Sequence, residues 1–217
     1  MRKFDFYEFT GILTPGTLLL VGLMYLWPGI VAPNDLDKIS VGGLGVFTLL
    51  AYVAGHLVQA VGNWIEKGWW GIARGMPTDW IRSGNVALLA PAQIEKLKVD
   101  LSKRLGLTLP EKLSELSSNA WIGITRQVYA AVAAAKQSSR VDTFNGNYGL
   151  HRGLLAATAV LLIVSPSSTT ATMSSTLVLF VVGAVAATRM HLCGKHYGRE
   201  LFVQFLQLPN RESRKDK

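Results

Sequence analysis

Residues 41–65, VGGLGVFTLLAYVAGHLVQAVGNWI, run for 25 positions without a charged side chain. A helix needs about 20 apolar residues to cross a hydrocarbon layer of about 30 Å, so this stretch is long enough to span a membrane. Along it Thr48, Tyr52, His56, Gln59, Asn63 and Glu66 recur at steps of 4, 4, 3, 4 and 3, which places all six on one side of a helix. Hydrogen-bonding groups are costly to leave unpaired in hydrocarbon, so the stripe must face other helices, another subunit or a water-filled lumen. Two roles fit it. Thr48, Tyr52 and Gln59 are of the type that glues membrane helices together; alternatively Thr48, Tyr52, His56, Gln59 and Asn63 line a pore. His56 favours the second role, because an ionisable group at membrane depth is expensive to keep.

Residues 11–31 form another uncharged run, of 21 positions, and make the first span. Pro15 removes a backbone N–H, frees a carbonyl one turn back, and either kinks this helix or marks its true start. Ahead of it Met1 to Thr10 carries Phe4, Phe6, Tyr7 and Phe9, an interfacial lead-in helix. Asp5 and Glu8 in that lead-in are foreign to a cleaved secretory signal, so it reads as part of the mature chain. Trp64, Trp69 and Trp70 form the aromatic belt where the second span leaves the membrane. Two further spans, about 148–165 and 170–188, are joined by the short uncharged PSSTTATMSS and form a hairpin.

Residues 66–147 read as helical and water-soluble. Pro91 opens a helix that turns Ile94, Leu97, Leu101 and Leu105 inward and stops at Gly106. Ser118 and Asn119 cap a long helix from Ala120 to about Asp142, and Phe144 to Tyr148 reads as a hinge. Arg189 to Leu208 continues as an amphipathic helix, and Arg211 to Lys217 is a charged tail. The expected fold class is therefore an all-α membrane protein with four transmembrane helices and a helical cytoplasmic insertion between the second and third. Its parts are an N-terminal hairpin (1–65), the insertion (66–147), a C-terminal hairpin (148–188), and a cytoplasmic helix and basic tail (189–217).

Orientation follows from the 22 lysines and arginines behind the net charge of +8. The connections 32–40 and 166–175 together hold one of them, whereas residues 66–152 hold 12 and residues 189–217 hold 7. Basic residues accumulate on the cytoplasmic side, which puts both termini and the insertion in the cytoplasm. Arg126, Lys136, Arg140, His151 and Arg152 alternate with Tyr129, Phe144 and Tyr148. Such a pattern suits a nucleotide or single-stranded nucleic-acid ligand, or a collar facing anionic membrane lipid.

Catalysis finds little support. A single cysteine, Cys193, excludes an internal disulfide, and no GxSxG, HExxH, P-loop or paired-carboxylate motif occurs. His56, Glu66 and Glu8 are the nearest approach to a proton relay or intramembrane enzyme, but they lack a nucleophile or metal. His191, Cys193 and His196 do not share a helix face, so neither a metal site nor a cofactor is expected. Gly42, Gly43 and Gly45 in the second span and Gly183, Ala184, Ala186 and Ala187 in the fourth permit close helix approach. Four spans are too thin to enclose a pore alone, which points to a homo-oligomer.

Three stretches, FDFYEFTGILTPGTLLL, AYVAGHLVQAVGNWIE and SRVDTFNGNYGLHRGLLAA, resemble small four-span membrane proteins of bacterial anti-phage defence operons. The likeness is to the membrane effector of the Hailong type, with the membrane component of Kiwa and the transmembrane effectors of nucleotide-signalling systems as neighbours. That resemblance implies an oligomeric inner-membrane channel, a tetramer by analogy, gated from the cytoplasm by a nucleotide-derived ligand and depolarising the infected cell. The alternative left open by the residues is a membrane-anchored sensor or scaffold that does not conduct. It would recruit a cytoplasmic defence protein from the same operon through the Pro91–Leu105 helix and the tail.

Overall fold

The computed structural model of the chain describes residues 6–31, 41–85 and 87–209. The start of the lead-in, the first polar loop and the charged tail lie outside the described residues. Among those described, regular structure is entirely helical: α1 (Phe6–Leu26), α2 (Pro28–Val31), α3 (Val41–Ile72), α4 (Pro77–Arg82), α5 (Pro91–Leu105), α6 (Ser118–Ala134), α7 (Ser139–Val164) and α8 (Met173–Leu206). Four of these, α1, α3, α7 and α8, are long and apolar enough to cross a membrane. The chain divides into two compact units, one of residues 1–69 and 146–192 and one of residues 70–145 and 193–217.

In the first unit helices approach backbone to backbone where glycine allows it. A Cβ on Gly16 of α1 would lie 1.8 Å from the Ala51 carbonyl oxygen of α3, and one on Gly55 would lie 2.1 Å from the Ile12 carbonyl oxygen. Gly22 makes room for the Leu161 side chain of α7, and Gly183 of α8 sits against Thr158 of α7. Val58, Ala156 and Ala157 are fully or almost fully buried, with Leu18, Leu19, Val61 and Ile65 packed on them. Helix α1 stops at Leu26 before Pro28, so carbonyls of its last turn lack intrahelical donors. The α7–α8 turn supplies them: the Ser168 hydroxyl donates to the Leu26 carbonyl at 2.7 Å, and the Thr170 hydroxyl lies 2.9 Å from the carbonyls of Tyr25 and Leu26.

The outer surface of this unit is apolar. Leu44, Leu49, Leu50, Val53 and Leu57 of α3 are exposed, as are Leu177, Val178, Phe180, Val181 and Val185 of α8. Soluble monomers rarely show continuous apolar surface of this kind, which hydrocarbon covers without penalty.

The second unit has an ordinary core. Ile81, Leu97, Leu101, Trp121, Val128, Val141, Leu201, Phe202 and Phe205 are buried together. Trp121 stacks on Phe202 with ring centroids 5.5 Å apart and donates its indole N–H to the Thr78 carbonyl at 2.8 Å. Helix α5 begins at Pro91 and ends at Gly106, whose φ of 66° suits a residue without a Cβ. The expected long helix from Ala120 to Asp142 is two helices: α6 ends at Ala134, Lys136 adopts φ 58°, and α7 starts at Ser139. Its first turn is organised by Asp142, which accepts from the Ser138 hydroxyl at 2.7 Å and the Tyr129 hydroxyl at 2.8 Å. The break therefore falls at 135–138, and the hinge expected at Phe144–Tyr148 is continuous helix.

Candidate functional site

The first unit contains a polar cluster built on three helices. Pro15 has no N–H to offer the carbonyl four residues back, so the Gly11 oxygen has no partner within α1. Gln59 of α3 supplies one, donating its amide to Gly11 at 2.8 Å and to the Gly149 carbonyl of α7 at 3.2 Å. Gly153 leaves room for this contact, since a Cβ there would lie 2.6 Å from Pro15 Cγ and 2.7 Å from Gln59 Nε2.

The Gln59 oxygen accepts from Arg152 Nη2 at 2.9 Å. Arg152 Nη1 pairs with the Glu66 carboxylate about two turns further along α3, and each of these charged side chains is 20% exposed. The guanidinium also lies 5.9 Å from the Tyr148 ring centroid, and its Nε is buried with no hydrogen-bond partner. Gly62 lets the arginine stem pass, a Cβ there meeting Arg152 Cγ at 3.2 Å. Net charge across the pair is zero, which is what makes an arginine tolerable against apolar helices. Through these bonds the cluster joins α1, α3 and α7.

The polar stripe of α3 is thereby divided. Gln59 and Glu66 turn into the unit, and the half-buried Thr48 donates its hydroxyl to the Leu44 carbonyl at 2.9 Å. Tyr52, His56 and Asn63 stay exposed, with the Tyr52 and His56 rings edge to face at 4.7 Å. Helix geometry explains the division. At about 100° per residue, Thr48, Gln59 and Glu66 lie toward the face carrying the buried Ala51, Val58 and Gly62, and Tyr52, His56 and Asn63 lie toward the opposite edge. Of the five residues read as pore lining, the amide of Gln59 is occupied within the chain and three reach the surface.

The basic residues read as a ligand site fall in both units. His151 and Arg152 belong to the first, where His151 Nδ1 lies 2.6 Å from the Asn147 carbonyl and Arg152 is held as described. Arg126, Lys136 and Arg140 belong to the second and are exposed. Arg140 pairs with Glu200 at 3.3 Å, and Glu200 also accepts from Gln204 at 2.7 Å. Phe144, one of the aromatics interleaved with these bases, stacks on His196 at 5.2 Å. His191 takes the Trp69 indole N–H on its Nδ1 at 3.3 Å, and Cys193 is buried. Among the described residues no group of three or more His, Cys, Asp or Glu side chains is placed to hold a metal.

The α5 surface expected to dock a partner is partly engaged. Lys96 donates to the Leu206 carbonyl at 3.1 Å, and Arg104 donates to the carbonyls of Leu208 and Pro209 at 2.8 and 2.9 Å, cations closing the C-terminal end of α8. The Glu66–Arg152 pair was missed by sequence reasoning, although Arg152 lies inside the span read from 148 to 165. A charge at that depth calls for a partner. No known protein family, characterised protein or solved structure matches the chain.

Proposed function

We propose that the chain crosses a bacterial inner membrane four times, with its termini and second unit in the cytoplasm, and assembles as a homo-oligomer that conducts ions. One observation carries this reading: Tyr52, His56 and Asn63 remain exposed on an otherwise apolar helix after the rest of their stripe is engaged inside the protomer. Hydrocarbon offers such groups no partner, whereas another copy of α3 with water between the two does. The lumen is lined by these three residues, with Thr48 at its edge. Gating by a nucleotide or nucleic-acid ligand at the basic second unit, and a role in anti-phage defence, rest on the resemblance set out above. The scaffold reading gains nothing from α5, whose Lys96 and Arg104 are tied to α8.

The test is ion flux from proteoliposomes, with the oligomer measured in parallel by crosslinking. Wild-type protein should crosslink beyond the monomer and release a trapped cation or anion. The combined substitution Tyr52→Leu, His56→Leu and Asn63→Leu should lower that flux by at least about tenfold, the ratio that corresponds to a barrier change of ~1.4 kcal/mol. Unchanged flux in the triple variant, or a monomer that conducts, refutes the lumen.

A further inference from the structure

The Glu66–Arg152 pair does not stand alone; it is the outer end of a chain of contacts. Glu66 holds Arg152, Arg152 holds Gln59, and Gln59 holds the Gly11 carbonyl that Pro15 leaves open. The first two links both join α3 to α7, and the third joins α3 to α1. The same unit elsewhere joins α1 to α3 and α7 without any charge, through Gly16, Gly55 and Gly22. Well-packed apolar residues generally match or exceed a partly buried ion pair in stability, so packing alone gives no reason for one here. Two features suit a contact that opens. Both charged side chains retain 20% exposure, so neither is sealed inside the unit. Both also sit on helices that run unbroken into segments of the second unit, α3 as far as Ile72 and α7 back to Ser139.

We infer that Glu66–Arg152 is a releasable latch: closed, it clamps α1 at its proline against α3 and α7 through Gln59; open, it frees α1, and this is the step that admits flux. The latch rests on the conduction reading for its role in flux, but the freeing of α1 is measurable without it. When the pair parts, the Arg152 guanidinium turns to water or a phosphate oxygen, Gln59 loses its fixed orientation, and the Gly11 carbonyl loses its donor. Tyr148, whose ring lies 5.9 Å from the guanidinium carbon, is on α7 with Arg152 and does not tie it to another helix.

The experiment uses full-length protein in liposomes carrying Gly11→Cys. A Cβ at that position meets only the Leu150 amide nitrogen, at the ordinary distance of 3.8 Å, so the closed state has room for it. Maleimide labelling of that thiol is followed against the slow background of the buried Cys193, and flux is measured on the same vesicles. Glu66→Gln should raise the labelling rate by about tenfold, the shift that ~1.4 kcal/mol of lost closed-state preference produces. Flux should rise with it. Glu66→Asp, which keeps a carboxylate for Arg152 and leaves the Arg152–Gln59 bond in place, should keep both near wild-type values and guards against a loss that any change at this position would cause. Labelling in Glu66→Gln at the wild-type rate overturns the latch, as does a folded Glu66→Asp that labels like Glu66→Gln. Faster labelling with no flux in any variant leaves the latch standing and overturns conduction instead.

Discussion

Replacing Gly16 by alanine tests the packing of the first unit at its tightest point. The added methyl would sit 1.8 Å from the Ala51 carbonyl oxygen and 2.6 Å from the Gly55 nitrogen, both backbone atoms that no rotamer change can withdraw. It falls short of ordinary contact at 3.4 Å by about 1.6 Å, so α1 and α3 must move apart. Overpacking of this kind costs about 1–3 kcal/mol, and two rigid backbones put Gly16→Ala at the upper end. Alanine in a helix returns up to about 1 kcal/mol against glycine, leaving a net loss of about 2 kcal/mol. Gly45→Ala on α3 is the control, because a Cβ there meets nothing within 4 Å and only the propensity gain remains. The two variants should differ by about 3 kcal/mol. Reversible unfolding from mixed micelles by sodium dodecyl sulfate, followed by tryptophan fluorescence, measures that difference. If Gly16→Ala and Gly45→Ala unfold at the same detergent fraction, the close crossing of α1 and α3 is wrong.

In the second unit, Trp121→Phe should cost about 2 kcal/mol in thermal unfolding, since it removes the bond to the Thr78 carbonyl and leaves a small void beside Phe202. Lys136→Gly should stabilise by up to about 1 kcal/mol and Lys136→Val should destabilise by a similar amount, because φ at this position is 58°; chemical denaturation of both variants checks the opposite signs. Arg104→Gln should cost about 2 kcal/mol and hasten proteolysis near Leu208, because it strips the Leu208 and Pro209 carbonyls of their donor and leaves the buried Asp100 carboxylate without its cation.

Local signals in the sequence carried the parts of this fold that local chemistry decides. Pro91 and Gly106 bracket α5 in the positions their backbone preferences require, and Leu97 and Leu101 point inward as their spacing demands. The break between α6 and α7 has no such signal. YAAVAAAK contains no glycine or proline, and the left-handed turn falls on a lysine because Asp142, Ser138 and Tyr129 fix the next helix start across the gap. Periodicity found the polar face of α3 but not its neighbours. A small difference in direction around the helix sends Gln59 inward and leaves Asn63 outside, and only the packing of α1 and α7 sets where that border lies. The pairing of Glu66 with Arg152, 86 residues apart, is likewise a property of the assembled helices.

The carbonyls of Tyr25 and Leu26 receive their hydrogen bonds from Thr170 and Ser168, 142 to 145 residues later in the chain. Translation at about 5–20 residues per second therefore separates the end of α1 from its donors by roughly 7–30 s. During that interval the nascent first hairpin must lean on water, lipid headgroups or the insertion machinery at that end. Only when the last hairpin enters does the chain close on itself, so the final helices to be made complete the first.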